Sequence, residues 1–377
     1  MKLGTKIIHS GHEIDPYTRG LSTPIYQVST FAQESAECFG KYDYSRSSNP
    51  TREALEENIA GLENGTRGFA FASGMAAISS VLLLFSPGEH LVVCEDVYGG
   101  TFRVLTSLFS RLGIGATFVD TTDLGKIEAA FRDNTRGLFL ETPSNPLLKI
   151  TDLAAAAALA RERGIITLVD NTFMTPYLQR PLDLGCDIVL HSGTKFLNGH
   201  SDVICGFAVA KDESLGKRIR FIQNAFGAIL GPQDSWLVLR GLKTLKVRME
   251  ESQKSAFAVA AWLTEQKSVT EVFYPGLAGH PGHEIHFRQS NGPGAVISFK
   301  LESVALTHRL LEEVSLAAFA VSLGGVESII SYPARMSHAA MPPQEREARG
   351  VTDTLVRLSV GLEDADDLIA DLERVIN

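Results

Sequence analysis

The sequence predicts an α/β fold built on a mostly parallel sheet. Short apolar runs that read as strands alternate with helix-forming stretches, the strand runs are bounded by Gly, Asp or Pro, and polar residues suited to chemistry collect at strand ends. In chain order, strands are expected at 69–72, 91–94, 116–119, 137–141, 165–170 and 188–191. Ligands gather at the carboxyl ends of strands in such sheets, which is where Asp170 and Asn145 fall. Between strands, the run from Leu153 to Ala160 is the clearest helix, with Thr151 or Asp152 as its cap.

From 233 to 265 the helical pattern lasts longer than in any earlier element. Leu242, Leu245, Met249, Ala256, Ala260 and Leu263 keep near one face while lysines and glutamates fill the other, as expected of a connector between domains. Strand signals return at 269–274, 295–300, 319–323 and 355–360. A final amphipathic helix follows, with Glu363, Asp364, Asp366 and Asp367 at its start, where the helix dipole favours acids. Residues 51–240 thus read as a large domain and 241–377 as a smaller α+β one.

Composition narrows the function classes. The chain has 377 residues, 44% hydrophobic and 21% charged, an ordinary globular balance that is long for one domain. A net charge of -9 argues against nucleic-acid or anionic-membrane partners, since both need a basic face. Cys38, Cys94, Cys186 and Cys205 show no C-x-x-C spacing and are too sparse for a disulfide framework, so reduced thiols in a cytoplasm are expected. Met1 to His9 lacks the apolar core of a signal peptide, and no segment approaches the roughly 18 apolar residues of a membrane span. His280, His283 and His286 cluster, yet His-Pro-Gly-His is turn chemistry without a nearby cysteine, and no metal is expected.

The chemistry centres on Lys195, in His191-Ser192-Gly193-Thr194-Lys195, which lies 25 residues after Asp170 at the end of an apolar strand. An amine able to bond an aldehyde, flanked by two hydroxyls and preceded by a carboxylate at a strand end, is what pyridoxal 5'-phosphate (PLP) needs from a protein. Lys195 supplies the amine and later a base. Asp170 favours the protonated pyridine nitrogen, because a carboxylate stabilises a neighbouring cation. Ser192 and Thr194 can donate to the phosphate. Upstream, Phe71-Ala72-Ser73-Gly74-Met75 runs from a strand into a helix, where free backbone N–H groups can face an anion, although Ser-Gly there also serves as a simple cap. No Walker loop and no dinucleotide fingerprint competes.

The chain resembles the Cys/Met-metabolism family of PLP enzymes from Pro24 to Ile369. The motifs are Tyr42-Asp43-Tyr44-Ser45-Arg46, Asn49-Pro50-Thr51-Arg52, Ser73-Gly74-Met75, Asp96-Val97-Tyr98-Gly99-Gly100, Glu141-Thr142-Pro143-Ser144-Asn145-Pro146, Val169-Asp170-Asn171-Thr172, Ser192-Gly193-Thr194-Lys195 and Arg357-Leu358-Ser359-Val360-Gly361. The resemblance implies the aspartate-aminotransferase-like, type I PLP-transferase fold, with 1–50 as an N-terminal arm. It implies that Gly74 and Met75, with Ser73, Ser192 and Thr194, hold the cofactor phosphate. Tyr44 and Arg46 are to reach that phosphate from a neighbouring subunit, in a homotetramer built from dimers with shared sites. Tyr98 is to stack on the cofactor ring and assist proton movement, and Asn145 to contact the ring oxygen and the substrate carboxylate. Arg357 is the bidentate carboxylate anchor in this reading, with Ser322 its helper; from the residues alone, Arg357 reads as a surface partner for Glu363 and Asp364.

The resemblance further implies a carbon–sulfur lyase acting on an amino-acid thioether such as L-cystathionine. Loss of the thiol from Cβ gives homocysteine, pyruvate and ammonia; loss from Cγ gives cysteine and 2-oxobutyrate. In the γ-acting cystathionine enzymes a glutamate usually precedes the helper serine, whereas Val321 precedes Ser322 here. Methionine γ-lyases typically carry a cysteine where this chain has Gly100. Both departures, with the stretches 224–227 and 331–338, favour β-elimination in methionine biosynthesis over γ-lyase, γ-synthase or methionine γ-lyase activity. The reading from a different class is a non-catalytic relative that keeps PLP for stability or binds amino acids; Lys195 and Tyr98 together with the Arg357 clamp argue against it.

Overall fold

In a computed structural model, residues 1–11, 14–339 and 341–377 are described. The first sheet comprises β1 (Arg67–Phe71), β2 (His90–Cys94), β3 (Gly115–Val119), β4 (Thr135–Glu141), β5 (Ile166–Asp170), β6 (Ile188–Ser192) and β7 (Gly206–Ala210). Their order across the sheet is β1-β7-β6-β5-β4-β2-β3. All neighbours from β6 to β3 are parallel, and β7 alone runs against β1 and β6. The α/β, mostly parallel expectation therefore holds, and the six expected strands lie within two residues of their positions.

β7 was not expected. It is a run of five fully buried residues, Gly-Phe-Ala-Val-Ala, too short for a periodicity to distinguish it from loop or helix. Its place matters, because an antiparallel strand between β1 and β6 leaves those two parallel to each other. The carboxyl ends of β1, β6, β5 and β4 then open on one edge of the sheet. Gly206 pairs with both Phe71 and Ser192, which brings the turn after β1 against the turn after β6. A Cβ on Gly206 would come within 2.2 Å of the Ser73 carbonyl oxygen, so only glycine allows this approach.

Helices cover both faces of the sheet. On one face, Phe69, Phe71, Phe139, Leu168 and Leu190 pack with Ile78, Val81 and Leu82 of the helix Gly74–Leu82. On the other, Leu138, Leu140 and Val169 meet Leu153, Ala156, Ala157 and Ala160 of the helix Leu153–Glu162. Asp152 is the cap of that helix, accepting from the Ala155 N–H at 3.0 Å.

The long 233–265 helix of the sequence reading is two helices, Pro232–Leu242 and Leu245–Thr264. The break has a partner: Arg248, buried one turn beyond it, donates to the carbonyls of Gly241 (3.0 Å), Phe196 (2.7 Å) and Leu197 (3.4 Å). An arginine so used ties the break to the segment that follows Lys195. The amphipathic pattern continues across the break, which is why the pattern alone does not reveal it.

The second sheet comprises β8 (Val269–Phe273), β9 (Val296–Leu301), β10 (Ala318–Phe319), β11 (Ile329–Ser331) and β12 (Leu355–Ser359), in the order β10-β11-β12-β9-β8. Only β10 and β11 pair in parallel. The strand expected at 319–323 is corrected: β10 ends at Phe319, and Val321 and Ser322 lie in the loop beyond. Ser322 has φ 97°, outside any strand conformation. The closing helix Ala365–Ile376 carries Asp366 and Asp367 in its first turn and buries Leu368, Leu372, Val375 and Ile376.

Candidate active site

The edge where β1, β4, β5 and β6 end borders a cavity of about 630 Å³. Its lining includes Ser73, Gly74, Met75, Tyr98, Asn145, Asp170, Ser192, Thr194, Lys195, Ser322 and Arg357, so residues scattered over nearly 300 positions converge. Tyr44 and Arg46 do not line it. Arg46 donates instead to the backbone and side chain of Asn224, at 2.6 and 3.0 Å, with its guanidinium over the Tyr44 ring.

Lys195 follows the turn after β6. Its amine donates to Ser322 Oγ at 2.6 Å, and burial together with the nearby Arg357 cation draws it down to about 8. A large share of the amine is therefore neutral near pH 8, as a nucleophile and base requires. Opposite, Asp170 accepts from the Thr172 N–H (3.0 Å) and hydroxyl (2.5 Å), both on Oδ1. Burial raises the Asp170 carboxyl, against the lowering by the Thr172 bonds and His191. A cationic ring nitrogen beside it would offset that cost.

The Gly206 approach brings the turns after β1 and β6 together at one end of the cavity. Ser73 caps the helix Gly74–Leu82 through Ala76 N at 3.0 Å, so its hydroxyl does the capping while the N–H groups of Gly74 and Met75, with no intrahelical acceptor, open on the cavity. Ser192 borders the same end: a Cβ on Gly74 would meet Ser192 Oγ at 3.1 Å. The Thr194 hydroxyl is occupied by the Cys205 backbone, donating to its carbonyl at 3.2 Å and accepting from its N–H at 3.0 Å.

Arg357, expected from the residues alone to be a surface partner of Glu363 and Asp364, is buried in the cavity wall. Glu363 is instead bound to Ser328. The Arg357 guanidinium donates to Asn145 Oδ1 and to the Ser322 carbonyl, both at 2.8 Å, while its Nε is buried without a partner among the described residues. Burial lowers it to about 10, which leaves it charged at neutral pH. A fixed, charged fork facing a cavity fits a carboxylate.

The donor set fits PLP: a first-turn N–H pair for the phosphate, a lysine amine for the aldehyde, and a buried carboxylate for the ring nitrogen. His280, His283 and His286 lie elsewhere, and each bonds a backbone carbonyl at 2.8 to 2.9 Å. Glu141, Phe173, Ile204 and Met336 also line the cavity; Glu141 and Met336 fall in motifs quoted from the sequence, but none of the four has a role in that reading. Glu141 was readable as a carboxylate at a strand end; the other three carry no such signal.

This site and fold are those of a PLP-dependent enzyme, and the chain belongs to the Cys/Met metabolism PLP-dependent enzymes, whose family model matches residues 4–377. It is 59% identical over 374 residues to cystathionine beta-lyase MetC of Bacillus subtilis (strain 168), covering 99% of this chain and 96% of that one. It is 50% identical over 376 residues to cystathionine gamma-lyase of the same organism, covering 100% and 99%. Among solved structures, cystathionine gamma-lyase from Lactobacillus plantarum complexed with L-serine superposes with a TM-score of 0.97 at 49% identity, covering 99% of this chain and 98% of that one.

Proposed function

We propose that the chain is a cystathionine β-lyase, converting L-cystathionine and water to homocysteine, pyruvate and ammonia. The observation that carries this reading is the cavity itself: a lowered lysine amine, a ring-nitrogen carboxylate and a carboxylate clamp on its floor, and the apolar Val321 at its mouth. PLP, when bound, supplies an electron sink for the pair left at Cα after deprotonation.

Each residue has a physical task. Arg357 holds the substrate carboxylate, with Asn145 and Ser322 fixing the guanidinium that does so. Lys195 removes the Cα proton, and Ser322 holds its amine on the cavity side. Gly74, Met75 and Ser192 hold the phosphate, Asp170 keeps the ring nitrogen protonated, and Tyr98 covers the ring. The Cβ–S bond then breaks and the thiol leaves past Val321, which offers no hydrogen bond to an amino group.

The partition of β1–β7 and β8–β12 into two sheets supports reading 51–240 as the cofactor-binding unit and 241–377 as the smaller one. Tyr44 and Arg46 lie outside their own chain's cavity, which supports an arm serving a neighbouring subunit in a dimer of dimers. No helix among the described residues is long and apolar enough to cross a membrane, and the four cysteines are free, with only Cys38 exposed; we read this as a cytoplasmic setting.

The test is keto-acid identification after incubation of the PLP-loaded protein with L-cystathionine. Pyruvate with homocysteine is expected. Predominant 2-oxobutyrate with cysteine would make it a γ-lyase and overturn the reading.

A further inference from the structure

Glu141 ends β4 directly beside Asp170 at the end of β5, the two being register partners in a parallel pair. Its side chain lines the cavity and is 6% exposed. Its Oε2 accepts a hydrogen bond of 2.8 Å from the backbone N–H of Tyr98, 43 residues away. Tyr98 is the cap residue of the helix Gly99–Ser107, and its own side chain makes no capping bond. Glu141 therefore meets the first orphan donor at this helix start.

Tyr98 is 41% exposed, and the two glycines that follow it are closely packed. A Cβ on Gly99 would come within 2.1 Å of the Ser337 carbonyl oxygen, and one on Gly100 within 2.5 Å of Tyr98 Cε1 and 2.7 Å of Met75 Sδ. The Tyr98 ring thus lies over Gly100 and Met75, at the end of the cavity where the Met75 N–H opens. The Tyr98 backbone carbonyl accepts from the Phe102 N–H at 3.1 Å inside the helix, and its N–H is met by Glu141.

We infer that Glu141 is a positioning residue for Tyr98, acting as a hydrogen-bond acceptor that fixes the Tyr98 backbone and so the placement of its ring over the cofactor. The inference rests on the reading of Tyr98 as the ring that covers PLP. The titratable and charged groups near Glu141 include Asp170, Asp96, Arg357 and the buried Cys94 thiol. Burial, then Asp170 and, more weakly, Asp96, push its carboxyl well above the usual range, against the lowering by the Tyr98 bond and Arg357. What the Tyr98 N–H needs from this position is an oxygen acceptor, and glutamine keeps that acceptor without the charge.

The experiment compares PLP-loaded Glu141→Gln, Glu141→Leu and Tyr98→Ala with the parent enzyme, reading kcat, KM and visible cofactor absorbance. Glu141→Gln is expected within about threefold of the parent in kcat. Glu141→Leu is expected to lose up to about a hundredfold in kcat, the scale of a misplacement near 1 Å, with KM and absorbance little changed. In a Tyr98→Ala background the leucine substitution is expected to cost little more, since both act on one group. If Glu141→Leu does not fold, Glu141→Asp, whose acceptor is withdrawn by one methylene, takes its place with the same expectations. Parent-like kcat in Glu141→Leu, or a loss in Glu141→Gln as large as in Glu141→Leu, overturns the inference. Parent-like kcat in Tyr98→Ala overturns instead the reading of Tyr98 on which it rests.

Discussion

The floor and the mouth of the cavity are built differently. On the floor, Asp170 ends β5, Asn145 follows β4 and Arg357 sits in the middle of β12; all three are buried and held by bonds of 2.5 to 3.0 Å. Val321 and Ile204 at the mouth are 68% and 67% exposed, lie in loops, and present aliphatic side chains. In the function proposed here, the hydrogen-bonded floor would serve the steps that any substrate of this cofactor shares. The mouth would meet the part of the substrate that differs, which would place chemistry and selectivity on separate pieces of chain.

Removing the amine from the floor should have the largest effect. Lys195→Ala is expected to lose at least about 10³-fold in kcat, since it deletes the proton-transferring base, with the fold retained in far-ultraviolet circular dichroism. Turnover within tenfold of the parent would remove Lys195 from its role. Arg357→Lys comes next. A point charge replaces a fork held by Asn145 and Ser322, and a loss of about 2 kcal/mol in transition-state stabilisation, or roughly thirtyfold in kcat/KM, is expected from steady-state kinetics.

At the mouth the effect should be smaller in rate but different in kind. Val321→Glu is expected to leave kcat within about tenfold while moving product from pyruvate toward 2-oxobutyrate; an unchanged ratio would dissolve the division between floor and mouth. Away from both, His286 gives a control of stability alone. Burial draws His286 down to about 4, so the unfolded chain takes up a proton near pH 6.5 while the folded one does not. That folded-state pKa lies below the unfolded value, so stability is full above pH 6.5 and is lost as pH falls toward 4. The linked change is at most about 3 kcal/mol. Denaturant titrations at pH 7 and pH 5 should show the parent losing more stability than His286→Gln, with kcat at pH 7.5 equal in the two.

Legibility from sequence follows the same division. Lys195, Asp170 and the Ser73-Gly74-Met75 turn, which all line the cavity, are readable as candidates because each is marked by a few neighbours in the chain, a strand end or a helix start. Arg357 is not: its neighbours in sequence suggest Glu363 and Asp364, while the fold gives Glu363 to Ser328 and turns Arg357 inward. Only the family resemblance placed it. β7 escapes the sequence because five buried residues carry no period, and the break at Lys243–Thr244 because it is marked by Arg248 of the second helix reaching back to the Gly241 carbonyl of the first, a contact no periodicity shows. Glu141 was passed over because its partner is a backbone N–H, which no side-chain pattern advertises.

Ser322 is held at φ 97°, where a non-glycine residue costs about 1–3 kcal/mol. The same residue gives its hydroxyl to Lys195 and its carbonyl to Arg357. A screen for thermal tolerance alone would select Ser322→Gly, which relaxes the backbone, and would return a hardier protein with a slacker grip on its lysine. The melting temperature is therefore a poor guide to improving this enzyme, and variants at this loop need to be ranked by turnover first.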